Sequence, residues 1–255
     1  MSLWNAARAV IGKKLGTTKP AAEDAGLPFN ARIGSLITIN ASPFLRAHGS
    51  LLRSPGKTHT IKAISKMHID LNGALYRYYV EKGDSGDDRE TYIQVYASSD
   101  GNIKGIEYFD RLLRMYPETD GDYAAFTGGA DAGLGQIEFS LHREQLEDLG
   151  YESSVLDTAF QGEETLPYAR TTSSKEEYIK PFEGEERRID DSLGNQGMRQ
   201  RILFMPYERD LMYGTKEQLF ISTEMIKSQN GVEKDSIHVD FMLGLTLSDA
   251  DVSIQ

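Results

Sequence analysis

The sequence contains no cysteine. Disulfide staples, a thiolate nucleophile and cysteine-ligated zinc are therefore excluded. It also lacks a long apolar run. No stretch approaches the ~20 apolar residues of a membrane-spanning helix, and the N-terminus has no uninterrupted apolar segment of the kind a secretory signal needs. A cytoplasmic protein is expected. Tryptophan occurs once, at Trp4, but 13 Tyr and 10 Phe supply large side chains for a core. Positive charge is scarce and uneven. Residues 1–19 carry Arg8, Lys13, Lys14 and Lys19 and no acid, so the net charge of −11 less this +4 leaves −15 on the remainder. So acidic a body repels a phosphate backbone, which argues against nucleic acid as a partner.

The basic N-terminus reads as an amphipathic helix. Leu3, Trp4, Ala7, Val10 and Ile11 share one arc at ~100° per residue. Ser2 is placed to cap it and Gly16 to stop it. Lys13 lies on the opposite face and Arg8 at the edge of the arc. Lys14 falls within the arc, where its stem can snorkel. Residues 1–19 are thus expected to form a separate basic helix, and 20–26 a linker. Leu3, Trp4, Ala7, Arg8, Val10, Ile11, Lys13 and Lys14 form its candidate lipid- or partner-binding surface. Any anionic-membrane contact should be weak, since each basic residue contributes only about 1 kcal/mol near such a surface.

Residues 27–250 are expected to form a β-rich α+β body of antiparallel meanders with a few short helices. Strands are predicted over 33–39, 59–71, 74–82, 90–97 and 102–109, with Asn72-Gly73 and Asp100-Gly101 as turns. Residues 110–116 read as a short helix ended by Pro117, and 140–149 as another. Residues 150–198 are polar and read as a long, partly ordered insertion. Strands return over 200–207, 217–225 and 236–247, with Asn230-Gly231 as a turn. A division into two subdomains near 117–135 stays open. In the last strand Phe241, Leu243 and Leu245 should be buried, with His238 and Asp240 on the other face.

Chemistry is sparsely signalled. The loop Thr127 to Gly135 (TGGADAGLG) lacks the lysine and hydroxyl residue of a phosphate-binding loop. No nucleophile elbow or paired-carboxylate motif is present, so no catalytic residue is assigned and an enzyme is disfavoured. Two local patterns, His68-Ile69-Asp70 and His238-Val239-Asp240, each put an imidazole and a carboxylate on one strand face. On adjacent strands they would make a nitrogen–oxygen site for a divalent metal. Nothing makes those strands neighbours, and two solvated polar faces are the expected outcome. Neither a metal nor another cofactor is expected.

Three segments carry a family resemblance: LPFNARIGSLI (27–37), ETYIQVY (90–96) and QRILFMPYER (200–209). They resemble the YjfK-like proteins, a bacterial family without an established activity. The resemblance spans most of 27–247. It implies a gene neighbourhood of PspA-like membrane-stress proteins, a small membrane protein and a glutathionylspermidine synthase-like ligase. Two functions follow as expectations. One is a non-catalytic accessory protein of a membrane-associated stress system, peripheral to the inner membrane, with a PspA-like protein partner. The other is an enzyme or small-ligand binder for a cationic metabolite such as a polyamine.

Overall fold

The computed structural model describes residues 24–70, 72–81, 89–129, 132–226 and 236–255. The basic helix expected over 1–19, most of its linker and the Asn230-Gly231 turn lie outside the described residues.

Twelve strands are described. In chain order they are β1 (Leu36–Ile39), β2 (Thr58–His68), β3 (Gly73–Glu81), β4 (Thr91–Ser98), β5 (Ile103–Met115) and β6 (Glu138–His142). Then follow β7 (Thr165–Arg170), β8 (Phe182–Ile189), β9 (Gly197–Asp210), β10 (Lys216–Ile226), β11 (Ser236–Leu247) and β12 (Val252–Ile254). Two four-stranded antiparallel meanders, β2 to β5 and β8 to β11, carry the architecture. They join edge to edge twice, β5 with β11 and β2 with β8, so eight strands close into a barrel. Closure satisfies the edge strands that an open meander would expose. The expected α+β body of open meanders is therefore incorrect: the protein is an antiparallel β-barrel with accessory elements. Its four described helices, α1 (Ser42–Arg46), α2 (Asp120–Thr127), α3 (Arg143–Asp148) and α4 (Ser153–Phe160), have at most eight residues each.

The accessories explain which barrel face is apolar. On one side β1, β12 and α1 bring Ile37, Ile39, Phe44 and Val252 against the outward-facing Tyr78, Ile93, Val95, Tyr108 and Leu245. On another, β6, β7, α3 and α4 bring Leu141, Leu146, Leu156, Phe160 and Tyr168 against Met205, Ile221, Phe241 and Leu243. Much of the outside is thus buried. Strand alternation then sends the remaining residues inward, where eight strands leave room for packed side chains or one small ligand. Part of that interior is an apolar plug of Leu75, Tyr96, Phe109, Phe204, Phe220 and Met242. Gly244 makes space for it, because a Cβ there would lie 2.5 Å from the Phe109 ring.

Two local expectations fail for tertiary reasons. Residues 110–116 are not a helix: β5 continues to Met115 and pairs with β11 across a bulge at Phe241/Met242. Strand pairing there overrides local helix propensity. Residues 150–198 are not a loose insertion, since they contain α4, β7 and β8. The run Glu183 to Arg188 (EGEERR) lies in the strand that closes the barrel. The register expected for β11 holds, with Phe241, Leu243 and Leu245 buried and His238 and Asp240 opposite.

Candidate functional site

The face opposite Phe241 is not solvent. His238 and Asp240 are 4% and 2% exposed and point into the barrel. There they meet inward-facing residues of the seven other barrel strands, which together form a polar half to the interior.

Its centre is Arg77 on β3, 1% exposed. The guanidinium lies over the rings of Tyr92 (4.6 Å) and Phe220 (5.4 Å), which offset part of the cost of burying its charge. It donates from Nη1 to Glu186 Oε2 (3.2 Å) and from Nε to Gln94 Oε1 (3.2 Å). Glu186 on β8 also accepts from Tyr79 OH (2.5 Å), Gln200 Nε2 (2.9 Å) and the Ser65 hydroxyl. Gln200 Nε2 donates in addition to Glu224 Oε2 (2.8 Å). His238 Nε2 stands 3.2 Å from Glu224 Oε2 and 3.8 Å from Asp240 Oδ2.

Towards one barrel end the cluster approaches water. Arg114 grips Asp240 with two bonds, Nε to Oδ1 (2.7 Å) and Nη2 to Oδ2 (2.5 Å). Glu90 links Arg114 (3.4 Å) to Arg188 (2.7 Å). The side chains of Glu90, Arg188 and Arg114 are 18%, 17% and 26% exposed, against 1% for Arg77 and none for Glu186. Access to the cluster therefore runs past these three residues.

Electrostatics divide the carboxylates. Burial pushes the Glu186 carboxyl up, but the Arg77 charge and the bonds from Ser65, Tyr79 and Gln200 outweigh it and hold it below the usual range. Burial also pushes Glu224 up. The His238 contact lowers it, the charges of Glu186 and Asp240 raise it, and the net direction is upward. With every acid ionised and His238 neutral, Glu90, Glu186, Glu224 and Asp240 are matched in number by Arg77, Arg111, Arg114 and Arg188, with Arg111 standing 3.8 Å from Glu90. Three buried atoms of this interior, Arg77 Nη2, Tyr92 OH and Gln200 Oε1, have no hydrogen-bond partner among the described residues.

A second buried acid shows the contrast. Glu217 accepts from Ser50 Oγ (2.5 Å), Leu51 N (2.7 Å), Tyr168 OH (2.8 Å) and Arg209 Nε (2.7 Å). It latches the segment before β2 onto β10 and its neighbours carry no orphaned donor, so its role is structural.

Of the sequence candidates, His238 and Asp240 belong to the cluster. They are not joined by His68 and Asp70: β2 lies across the barrel from β11, four strands away in either direction. His68 and Asp70 are not buried in the barrel interior, and His68 lines a cleft of about 360 Å³ with Glu185, Arg187, Arg199 and Arg201, whose lining also includes Glu186 and Gln200. The expectation of solvated faces thus fails for His238-x-Asp240. Strand alternation sends Tyr79, Tyr92 and Tyr96 inward and Tyr78 outward. Residues 3–14, the candidate lipid- or partner-binding surface, lie outside the described residues. The sequence did not point to Arg77, Glu186, Gln200 or Glu224. The available signal was a charge on the same strand face as aromatic residues, as in Phe220-x-Ser222-x-Glu224.

Comparison with family models, with curated proteins and with solved structures returns no match for this chain.

Proposed function

We propose that the chain is a binding protein whose barrel takes a small cation into the polar half of its interior. The observation that supports this is a buried polar cluster in which Glu224, His238 and Asp240 converge and three polar atoms have no partner among the described residues. A buried polar group without a partner costs about 1–3 kcal/mol, so a network retained purely for stability would be expected to close, as the one around Glu217 does. Two carboxylates and an imidazole with donor atoms within 4.8 Å of one another favour a cation over an anion. Binding is favoured over reaction because His238 faces an acid, Glu224, rather than a hydroxyl that it could activate. The test is calorimetric titration with small cations, both metal ions and spermidine. A saturable response of about one cation per chain, weakened in Glu224→Gln, is expected. Equal responses from wild type and variant refute the reading.

A second reading has its own support in the sequence. The amphipathic segment over residues 3–14, whose charges are all basic in an otherwise acidic chain, suits an accessory role, with a PspA-like partner in the membrane-associated setting that the YjfK-like resemblance implies. No described helix is long and apolar enough to cross a membrane, so such an association would be peripheral. A pull-down with and without residues 1–19 tests it: a partner retained equally by both forms refutes it.

A further inference from the structure

Resting on the cation reading and naming its ion, we propose that Glu224, His238 and Asp240 form a site for a borderline divalent metal, zinc or manganese, inside the barrel.

Register brings the three together. Glu224 on β10 pairs directly with His238 on β11, and Asp240 follows two residues later on the same inward face. The ligands therefore stand on a two-stranded ribbon rather than on a loop. One donor atom from each lies within 4.8 Å of the others. A tetrahedral metal with bonds of about 2.0–2.1 Å holds its ligand atoms about 3.3 Å apart. The observed 3.2 Å from His238 Nε2 to Glu224 Oε2 matches this, and the 3.8 Å to Asp240 Oδ2 needs only a small side-chain rotation.

The surroundings are those of a supported site. Arg114 fixes Asp240 through both oxygens, and Gln200 and Ser222 donate to Glu224. Such outer partners orient metal-binding carboxylates. Glu224 is also the one acid of the cluster with no arginine in hydrogen-bond contact among the described residues. An independent observation is Gln200 Oε1. This oxygen is buried, has no partner, and belongs to the amide whose nitrogen already holds Glu224. It is a neutral oxygen on a side chain that already touches one of the three donors. One imidazole with oxygen ligands and no thiolate suits zinc, manganese or cobalt, whereas magnesium and calcium prefer all-oxygen shells.

The test uses the full chain after dialysis against a chelator. Zinc, manganese, magnesium and spermidine are titrated by calorimetry, and bound metal is counted by elemental analysis. One zinc per chain is expected, bound more tightly than manganese, with magnesium far weaker. Loss of an outer partner typically costs 10–100-fold in affinity, so His238→Ala should weaken zinc at least about 100-fold, while His68→Ala changes nothing. Should His238→Ala fail to fold, Glu224→Gln and the visible absorption of the cobalt-loaded wild type decide: intense bands support an enclosed nitrogen–oxygen site, and their absence overturns it. Zinc binding that survives both His238→Ala and Glu224→Gln, or that vanishes in His68→Ala, also overturns it. Spermidine binding at one per chain without metal binding refutes the metal site but leaves the cation reading standing. If no cation in the panel binds, both fall.

Discussion

Replacing Arg77 by methionine keeps an unbranched stem and removes the charged head that lies over Tyr92 and Phe220. Glu186, with no exposed side-chain surface, would then remain buried with neutral donors alone, from Ser65, Tyr79 and Gln200. Breaking a buried pair in this way costs about 3–5 kcal/mol. Two cation–π contacts are lost as well, at ~0.5–2 kcal/mol each, so the variant should fall in the upper part of that range. The pH dependence follows from the same residues. In the wild type Glu186 is held below the carboxylate range, so its contribution is present above the unfolded pKa of about 4.3 and is lost as pH falls through the folded value. Without Arg77, burial dominates and the carboxyl moves above that range. Its contribution is then penalising at neutral pH and relieved in acid. Urea unfolding at pH 7 and at pH 5 should show a larger cost for Arg77→Met at pH 7. The double variant Arg77→Met/Glu186→Gln should be more stable than Arg77→Met alone. A cost below about 1 kcal/mol, or one equal at both pH values, refutes the reasoning.

Phe241→Ala should destabilise the barrel by about 3–5 kcal/mol in urea unfolding, because the buried ring packs 6.0 Å from Phe126 and 5.7 Å from Phe139; a cost under 1 kcal/mol would contradict its placement. Burial pushes the Glu107 carboxyl up, although bonds from Gln218 and Gln94 lower it. Its contribution is therefore complete below the unfolded pKa and is lost as pH rises through the folded one, so Glu107→Gln should gain on the wild type between acid and neutral pH. A difference in unfolding midpoint that does not change with pH rules this out. With anionic liposomes at low salt, the full chain should float and residues 20–255 should not; equal flotation of the two forms, or failure of the full chain, removes the lipid role of the N-terminal segment.

The parts of the fold visible in the sequence were those written in one strand at a time. The alternation of residues 236–247 fixed the register of β11, and Asn72-Gly73 marked the hairpin between β2 and β3. Barrel closure was not visible, because it depends on β8, whose inward positions after Phe182 are Gly184, Glu186 and Arg188 rather than apolar residues. A strand whose partner is a buried arginine on another strand looks like a solvated loop until that arginine is in place. The site shows the same division. His238-x-Asp240 was evident as a face but was assigned to solvent, since a period of two says which residues share a side and not what covers it. Glu224 joins them only through the pairing of β10 with β11, and Arg77 only across the barrel.

The five histidines, His48, His59, His68, His142 and His238, provide a direct measurement of cation binding. Nitrogen–proton NMR correlations of the imidazole rings can be followed during titration of the chelator-treated full chain with zinc. The account predicts that the His238 signals move to completion at one equivalent while the other four rings stay in place. His238 signals that remain fixed, or shifts at His68 or His48 in their stead, would contradict it.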